Sequence, residues 1–205
     1  RRAHALLGLC DWVGSNFVSG RLRRLLQAGD IRIEFPDGAA GGLAAHLLLR
    51  SKATWGRATY DRSLDALAAR DEAHAEDDEE LDDEQRADFR AKSARARCLR
   101  EWTAKLLALI PPEDEQGLVS LAELVRGLSA FLDDRVAVAG PLDAPAIAAM
   151  KQALDDLLTL GELRRPMRQA LAFVRDAVDG LSVGASRARP GHLHISSLAS
   201  AGHAG

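Results

Sequence analysis

From Asp82 to Ile110 the chain reads DDEQRADFRAKSARARCLREWTAKLLALI, with no Gly and no Pro. Phe89, Ala96, Leu99, Trp102, Leu106, Leu109 and Ile110 recur there at spacings of three, four or seven. That spacing places them on one broad face of a single helix, roughly 40 Å long at 1.5 Å per residue. Pro111-Pro112 ends it, because proline can neither donate the next hydrogen bond nor clear the preceding turn. The half from Leu99 onward is the more apolar and predicts the buried half.

The same reading places shorter helices around this one. Arg2 to Val13 presents Leu6, Leu9, Trp12 and Val13, and Gly14-Ser15-Asn16 breaks it. Ser19 is a candidate N-cap for a helix to Gln27 with Leu22, Leu25 and Leu26 inward and Gly29 at C′. Helices follow over 42–50 and 57–70. Ser120-Leu121-Ala122-Glu123 has the form of a capping box and opens a helix to Asp133. Asp143 is the expected cap of a helix over 144–160, and Pro166 sits in the first turn of a last helix to Asp179. Two stretches alternate with period two. Asp30 to Phe35 fits a short strand or an extended connector equally. His192 to Leu198 is the best strand candidate, and it would need a sheet outside this chain. The expectation is a mainly α fold: an irregular multi-helix bundle around one long helix, with a short C-terminal β-strand. Residues 1–190 form its helical domain, and 191–205 lead toward a neighbouring one.

Composition sharpens this in few places. Apolar residues are 47% of the chain and aromatics only 4%, which favours helix over sheet. The net charge of −3 supplies no global basic field, so any nucleic-acid contact has to be local. Cys10 and Cys98 both lie in helical patterns and read as small buried hydrophobes in a reducing compartment. No run approaches the ~18 apolar residues of a membrane span, and no signal peptide is visible. A cytoplasmic location and no membrane partner are therefore expected. The chain lacks an initiating Met and stops without a tail-like end, so it reads as a piece of a longer polypeptide.

Charge clusters supply the candidate contacts. Arg21, Arg23 and Arg24 crowd the outer surface of the second helix. Arg86, Arg90, Arg97 and Arg100 fall opposite the apolar face of the long one. Each set fits a solvated face or a phosphate-contacting one. Asp71 to Glu80, DEAHAEDDEE, reads as a solvated loop or a frayed helix end. Catalytic motifs are missing. There is no Gly-rich loop ending in Gly-Lys-Ser/Thr, no GxSxG elbow, and no acid-x-Lys strand after Pro36-Asp37. His192 and His194 share one side of the candidate strand but have no third metal ligand nearby. No catalytic residue, no metal site and no cofactor is assigned to this piece.

The C-terminal stretch resembles the second RecA-like domain of UvrD/RecB-type superfamily 1 helicases. In that family a strand V-x-L-x-T leads into a loop H-S-A-K-G-L-E. Here the corresponding residues are Leu193-His194-Ile195-Ser196-Ser197, then Leu198, then Ala199-Ser200-Ala201-Gly202-His203. Ser197 stands where the strand's Thr or Ser is, and Ser200-Ala201 match the central Ser-Ala. Ala199, Gly202 and His203 replace the family's His, Lys and Gly. A chain without those charged residues is similar to a degenerate helicase half, as in AddB-type subunits of helicase-nucleases and related PD-(D/E)xK proteins. The segment from Asn16 to Leu26 also resembles AddB-like chains, with an aromatic and small residues ahead of a Leu/Arg helix. The resemblance implies a helical 2B-type insertion over 1–190 and a strand and loop over 191–205 entering a RecA-like domain. It implies a parent protein that uses ATP and Mg, binds DNA and pairs with a second helicase-nuclease subunit in double-strand break repair. Ser197 and Ser200 are then the expected DNA-backbone contacts, with Arg21, Arg24, Arg86, Arg90 and Arg97 beside them. The alternative reading is a non-enzymatic all-α interaction or regulatory module.

Overall fold

The computed structural model describes residues 2–78, 81–136, 140 and 142–181. They form eight helices: α1 Arg2–Gly14, α2 Ser19–Ala28, α3 Leu43–Arg50, α4 Arg57–Asp77, α5 Asp83–Ala108, α6 Leu121–Asp134, α7 Asp143–Leu158 and α8 Met167–Asp179. The fold is mainly α, as the apolar spacing predicts. The candidate strand over 192–198, with Ser197 and Ser200, lies outside the described residues.

The long helix is α5, and it is started by a reciprocal cap. The Asp82 carboxylate accepts the Gln85 N–H at 2.8 Å, and Gln85 Oε1 accepts the Asp82 N–H at 3.1 Å. Leu99, Leu106 and Ala96 are fully buried, and Trp102 nearly so. α5 folds back antiparallel on α4, and this hairpin is the largest contact in the fold. α1 packs on α2, α7 and α8, while α6 packs on α7 and α8, so one continuous apolar cluster runs from Ala5 to Val178.

Two caps differ from expectation. Val18 is the N-cap of α2, and Ser19 is its first residue. The Ser19 hydroxyl donates instead to the Ala53 carbonyl at 2.5 Å, tying α2 to the α3–α4 loop. Asp143 likewise sits inside α7, behind Leu142, and its carboxylate accepts the Gly140 N–H at 2.6 Å.

The acidic stretch is also corrected. α4 does not end at Arg70 but continues to Asp77, carrying most of that stretch in regular helix. Asp71 is only 1% exposed and accepts two hydrogen bonds from Arg50, at 2.8 and 3.0 Å. Glu72 accepts from Ser93 at 2.9 Å and from Arg97 at 2.5 Å. Partners on α3 and α5 hold these carboxylates in place, and local charge density alone could not reveal them.

Asp30 to Phe35 is an extended connector. It makes one isolated bridge, Ile31 with Val136, and its Arg32 carbonyl accepts the Trp102 indole N–H at 3.1 Å. The regular sheet among the described residues is elsewhere. β1, Leu118–Ser120, pairs antiparallel with β2, Arg164–Pro166, with Leu118 opposite Pro166 and Ser120 opposite Arg164. Three-residue strands hold too little alternation to be read from sequence. Because the pairing is antiparallel, α6 leaves one end of the ladder after Ser120 and α8 leaves the other after Pro166.

A buried polar hub joins α1 to α4. Trp12 donates its indole N–H to the Tyr60 hydroxyl at 2.7 Å, and Tyr60 donates on to the Phe17 carbonyl at 2.8 Å. Phe17 packs edge-on against Trp12 with ring centroids 5.0 Å apart. Tyr60→Phe removes one atom yet strands two buried polar groups, so it lowers unfolding free energy by about 2 kcal/mol. Urea unfolding followed by far-UV circular dichroism measures this, and an unchanged midpoint would refute the hub's role.

Candidate nucleic-acid interface

Two adjoining depressions meet at Gly14 and Arg168. The larger, about 570 Å3, is lined by Asn16, Phe17, Arg57, Pro111, Glu113, Met167 and Arg168, among others. The smaller, about 320 Å3, is lined by Asp11, Ser15, Arg21, Leu171, Arg168 and Arg175, with Gly14. Together they make a trough with four arginines against two carboxylates.

The floor of the trough is the α1–α2 turn, whose backbone is strained. Asn16 and Phe17 both have positive φ, 56° and 59°. Asn tolerates that region, but a bulky aromatic does so only when its surroundings hold it there. Phe17 is held by its N–H bond to the Trp12 carbonyl at 2.9 Å, by Tyr60 on its own carbonyl, and by Arg57 stacked 4.9 Å from the ring centroid.

Each arginine reaches the trough for a separate reason. Arg57 opens α4 and donates to the Ile110 and Pro111 carbonyls at 2.7 and 2.9 Å, closing the exposed C-terminal end left by α5. Burial pulls its pKa below the ordinary guanidinium value, and Glu113 opposes that shift. Its partners are neutral carbonyls, so its charge is not cancelled by a hydrogen-bonded carboxylate. Arg21 and Arg175 share Asp11, Arg21 at 3.5 Å and Arg175 in close contact. Arg168 is exposed on the first turn of α8 and has no bonded partner among the described residues. The N-caps of α2, α4 and α8 are Val18, Gly56 and Pro166, and no side chain caps any of them. Their positive dipole ends add to the arginine field.

This arrangement suits oxyanions and offers no catalytic pair. The Ser15 hydroxyl donates to the Trp12 carbonyl at 3.0 Å. Burial pushes the Cys10 thiol up to about 12, with Arg175 only partly offsetting, so it is a packed hydrophobe and not a nucleophile. Cys98 is half-buried, not buried as expected, and both cysteines are free thiols.

The residues singled out from sequence divide into two groups. Arg21 lines the trough, and Arg24 is exposed on the same helix. The long-helix arginines are elsewhere and mostly engaged. Arg97 pairs with Glu72, Arg100 bridges Asp61 and Asp65 at 2.6 and 2.7 Å, and Arg86 donates to the Asp78 carbonyl at 3.2 Å. Only Arg90 of that stripe is exposed without a bonded partner among the described residues. Sequence reasoning missed Arg57, Arg168 and Arg175. Arg168, Leu171 and Arg175 stand three and four apart on α8, and that shared face was the available signal.

Among the described residues no group of three or more His, Cys, Asp or Glu could hold a metal ion, and no helix is long and apolar enough to cross a membrane. Comparison with known proteins finds no match: no family model, no curated protein and no solved structure is significantly similar to this chain.

Proposed function

We propose that this chain is a non-catalytic helical region of a helicase-like, AddB-type subunit and contacts the DNA backbone through the arginine trough. The parent would be an ATP-dependent helicase-nuclease acting in double-strand break repair, paired with a second subunit. One observation carries the DNA contact: four arginines from α2, α4 and α8 converge in one trough, on a chain whose net charge is negative. Among the described residues Arg168 is unpaired and Arg57 is bonded only to carbonyls, so both keep charge available for phosphate oxygens. The resemblance over Leu193 to His203 supplies the choice of DNA and of parent.

The expected result is salt-dependent binding of a fluorescein-labelled oligonucleotide. Its log–log slope with salt should be about −2 to −3, corresponding to three or four phosphate contacts. Arg21→Glu combined with Arg168→Glu should weaken binding roughly tenfold or more at low salt and lower unfolding free energy by no more than about 1 kcal/mol, since the Arg21–Asp11 pair it breaks is a surface one. No binding at low salt would sink this reading. It would leave the interaction-module reading, in which Arg97 and Arg100 of α5 serve the fold by pairing with α4 carboxylates.

A further inference from the structure

We propose that Trp55 is a stacking platform for an unpaired base at the end of the arginine trough, so the interface prefers single-stranded DNA to duplex. This rests on the proposed backbone contact by the trough. Trp12 and Trp102 are buried, whereas Trp55 is 64% exposed. An indole standing in water gains nothing for the fold.

The backbone on both sides of it is tied down. Thr54, just before it, accepts the Ser19 N–H at 2.8 Å, and Gly56, just after it, donates to the Asn16 carbonyl at 2.8 Å. The Ser19 hydroxyl on Ala53 adds a third tie. Asn16 is part of the strained turn that lines the trough and Ser19 follows it, so these ties anchor the backbone on either side of Trp55 to the trough's wall. Asn16 and Arg57 line the trough itself, and Arg57 is two residues after the indole. Lys52, also exposed, is on the other side of the loop.

A cationic groove that tracks phosphates, with an aromatic face beside it, is the arrangement that binds single strands without regard to sequence. In duplex DNA the base faces are already stacked, and the indole has nothing to receive. Charge complementarity favours this occupant over an apolar protein surface, because the charged residues nearest Trp55 along its loop, Lys52 and Arg57, are both cations.

The test uses the full chain with a 5′-fluorescein single strand of thymines, an abasic strand of equal length, and a duplex of equal length. The single strand should quench the emission of the exposed indole, and Trp55→Phe should remove that signal while largely keeping the affinity. Trp55→Ala should weaken binding to the thymine strand roughly 5- to 100-fold and leave duplex and abasic binding unchanged. If Trp55→Ala binds the thymine strand like the unchanged chain, while the Arg21→Glu, Arg168→Glu pair weakens it, the platform is wrong and the trough contact stands. If the unchanged chain binds none of the three at low salt, both fall.

Discussion

Gly127→Ala destabilises this protein by about 3 kcal/mol, although it replaces a poor helix former with the best one. Gly127 lies inside α6, where alanine alone would add up to about 1 kcal/mol. The obstacle is backbone. A Cβ at Gly127 would run onto the Leu109 carbonyl oxygen and come within 2.8 Å of its carbon. A side chain can rotate aside, but a carbonyl in the last turn after α5 cannot. Leu106 and Ile110, which flank it, are buried, and Arg57 holds the Ile110 carbonyl. Relief therefore requires α6 to move as a unit away from the end of α5, opening the packing of Leu124, Leu128 and Phe131. Urea unfolding should show the loss as a lower midpoint. Gly20→Ala in α2 is the control: its Cβ meets nothing within 4 Å, so it should be neutral or mildly stabilising. Equal effects at the two glycines would refute the close approach of α5 and α6.

Cutting the Arg50–Asp71 pair is the second large effect. Arg50→Leu leaves a carboxylate that is 1% exposed without its two hydrogen bonds. Removing one partner of a buried pair costs about 3 kcal/mol, the low end of the usual range, because water still reaches Arg50. Arg70 stands 3.7 Å from the same carboxylate and recovers only part of the loss. Asp71→Leu should cost a similar amount by stranding the guanidinium. Arg50→Leu with Asp71→Leu should recover most of the stability, since an apolar pair of similar volume replaces the ionic one without leaving a buried charge. A double-mutant cycle on unfolding free energies measures this. Strictly additive losses would show that the two side chains do not depend on each other.

These two sites mark where reading along the chain stops. The helices were legible because burial imposes a period of three to four on every amphipathic segment, whatever lies opposite. The inward leucines of α2, the leucines and Val125 of α6, and Met167, Ala170, Leu171, Val174 and Val178 of α8 follow the helical spacing, while Phe131 joins the α6 face only in the structure. Gly29 and Gly161 have the positive φ of a helix end, 67° and 73°, as glycine after an apolar run suggests. Asp71 defeated the same logic. A carboxylate inside an acidic run is exposed by every local criterion, and it is Arg50, twenty-one positions earlier, that supplies its hydrogen bonds.

The candidate interface follows the same division. Arg21 could be found from sequence because it stands in a local cluster of arginines. Arg57, Arg168 and Arg175 could not be joined to it, since they lie on two other helices, α4 and α8, whose approach to α2 no local pattern reveals. Conversely, the α5 arginines looked like a free stripe until α4 was seen to lie beside them with Asp61, Asp65 and Glu72.

By itself the sequence determined which segments are helices, where most of them stop, and which side of each avoids water, because these follow from backbone chemistry and local periodicity. Tertiary structure alone decided which charges cancel and which remain, why Gly127 has no side chain, and how arginines far apart in the chain face one trough. Those outcomes depend on distances between helices, and a one-dimensional pattern carries no such distances.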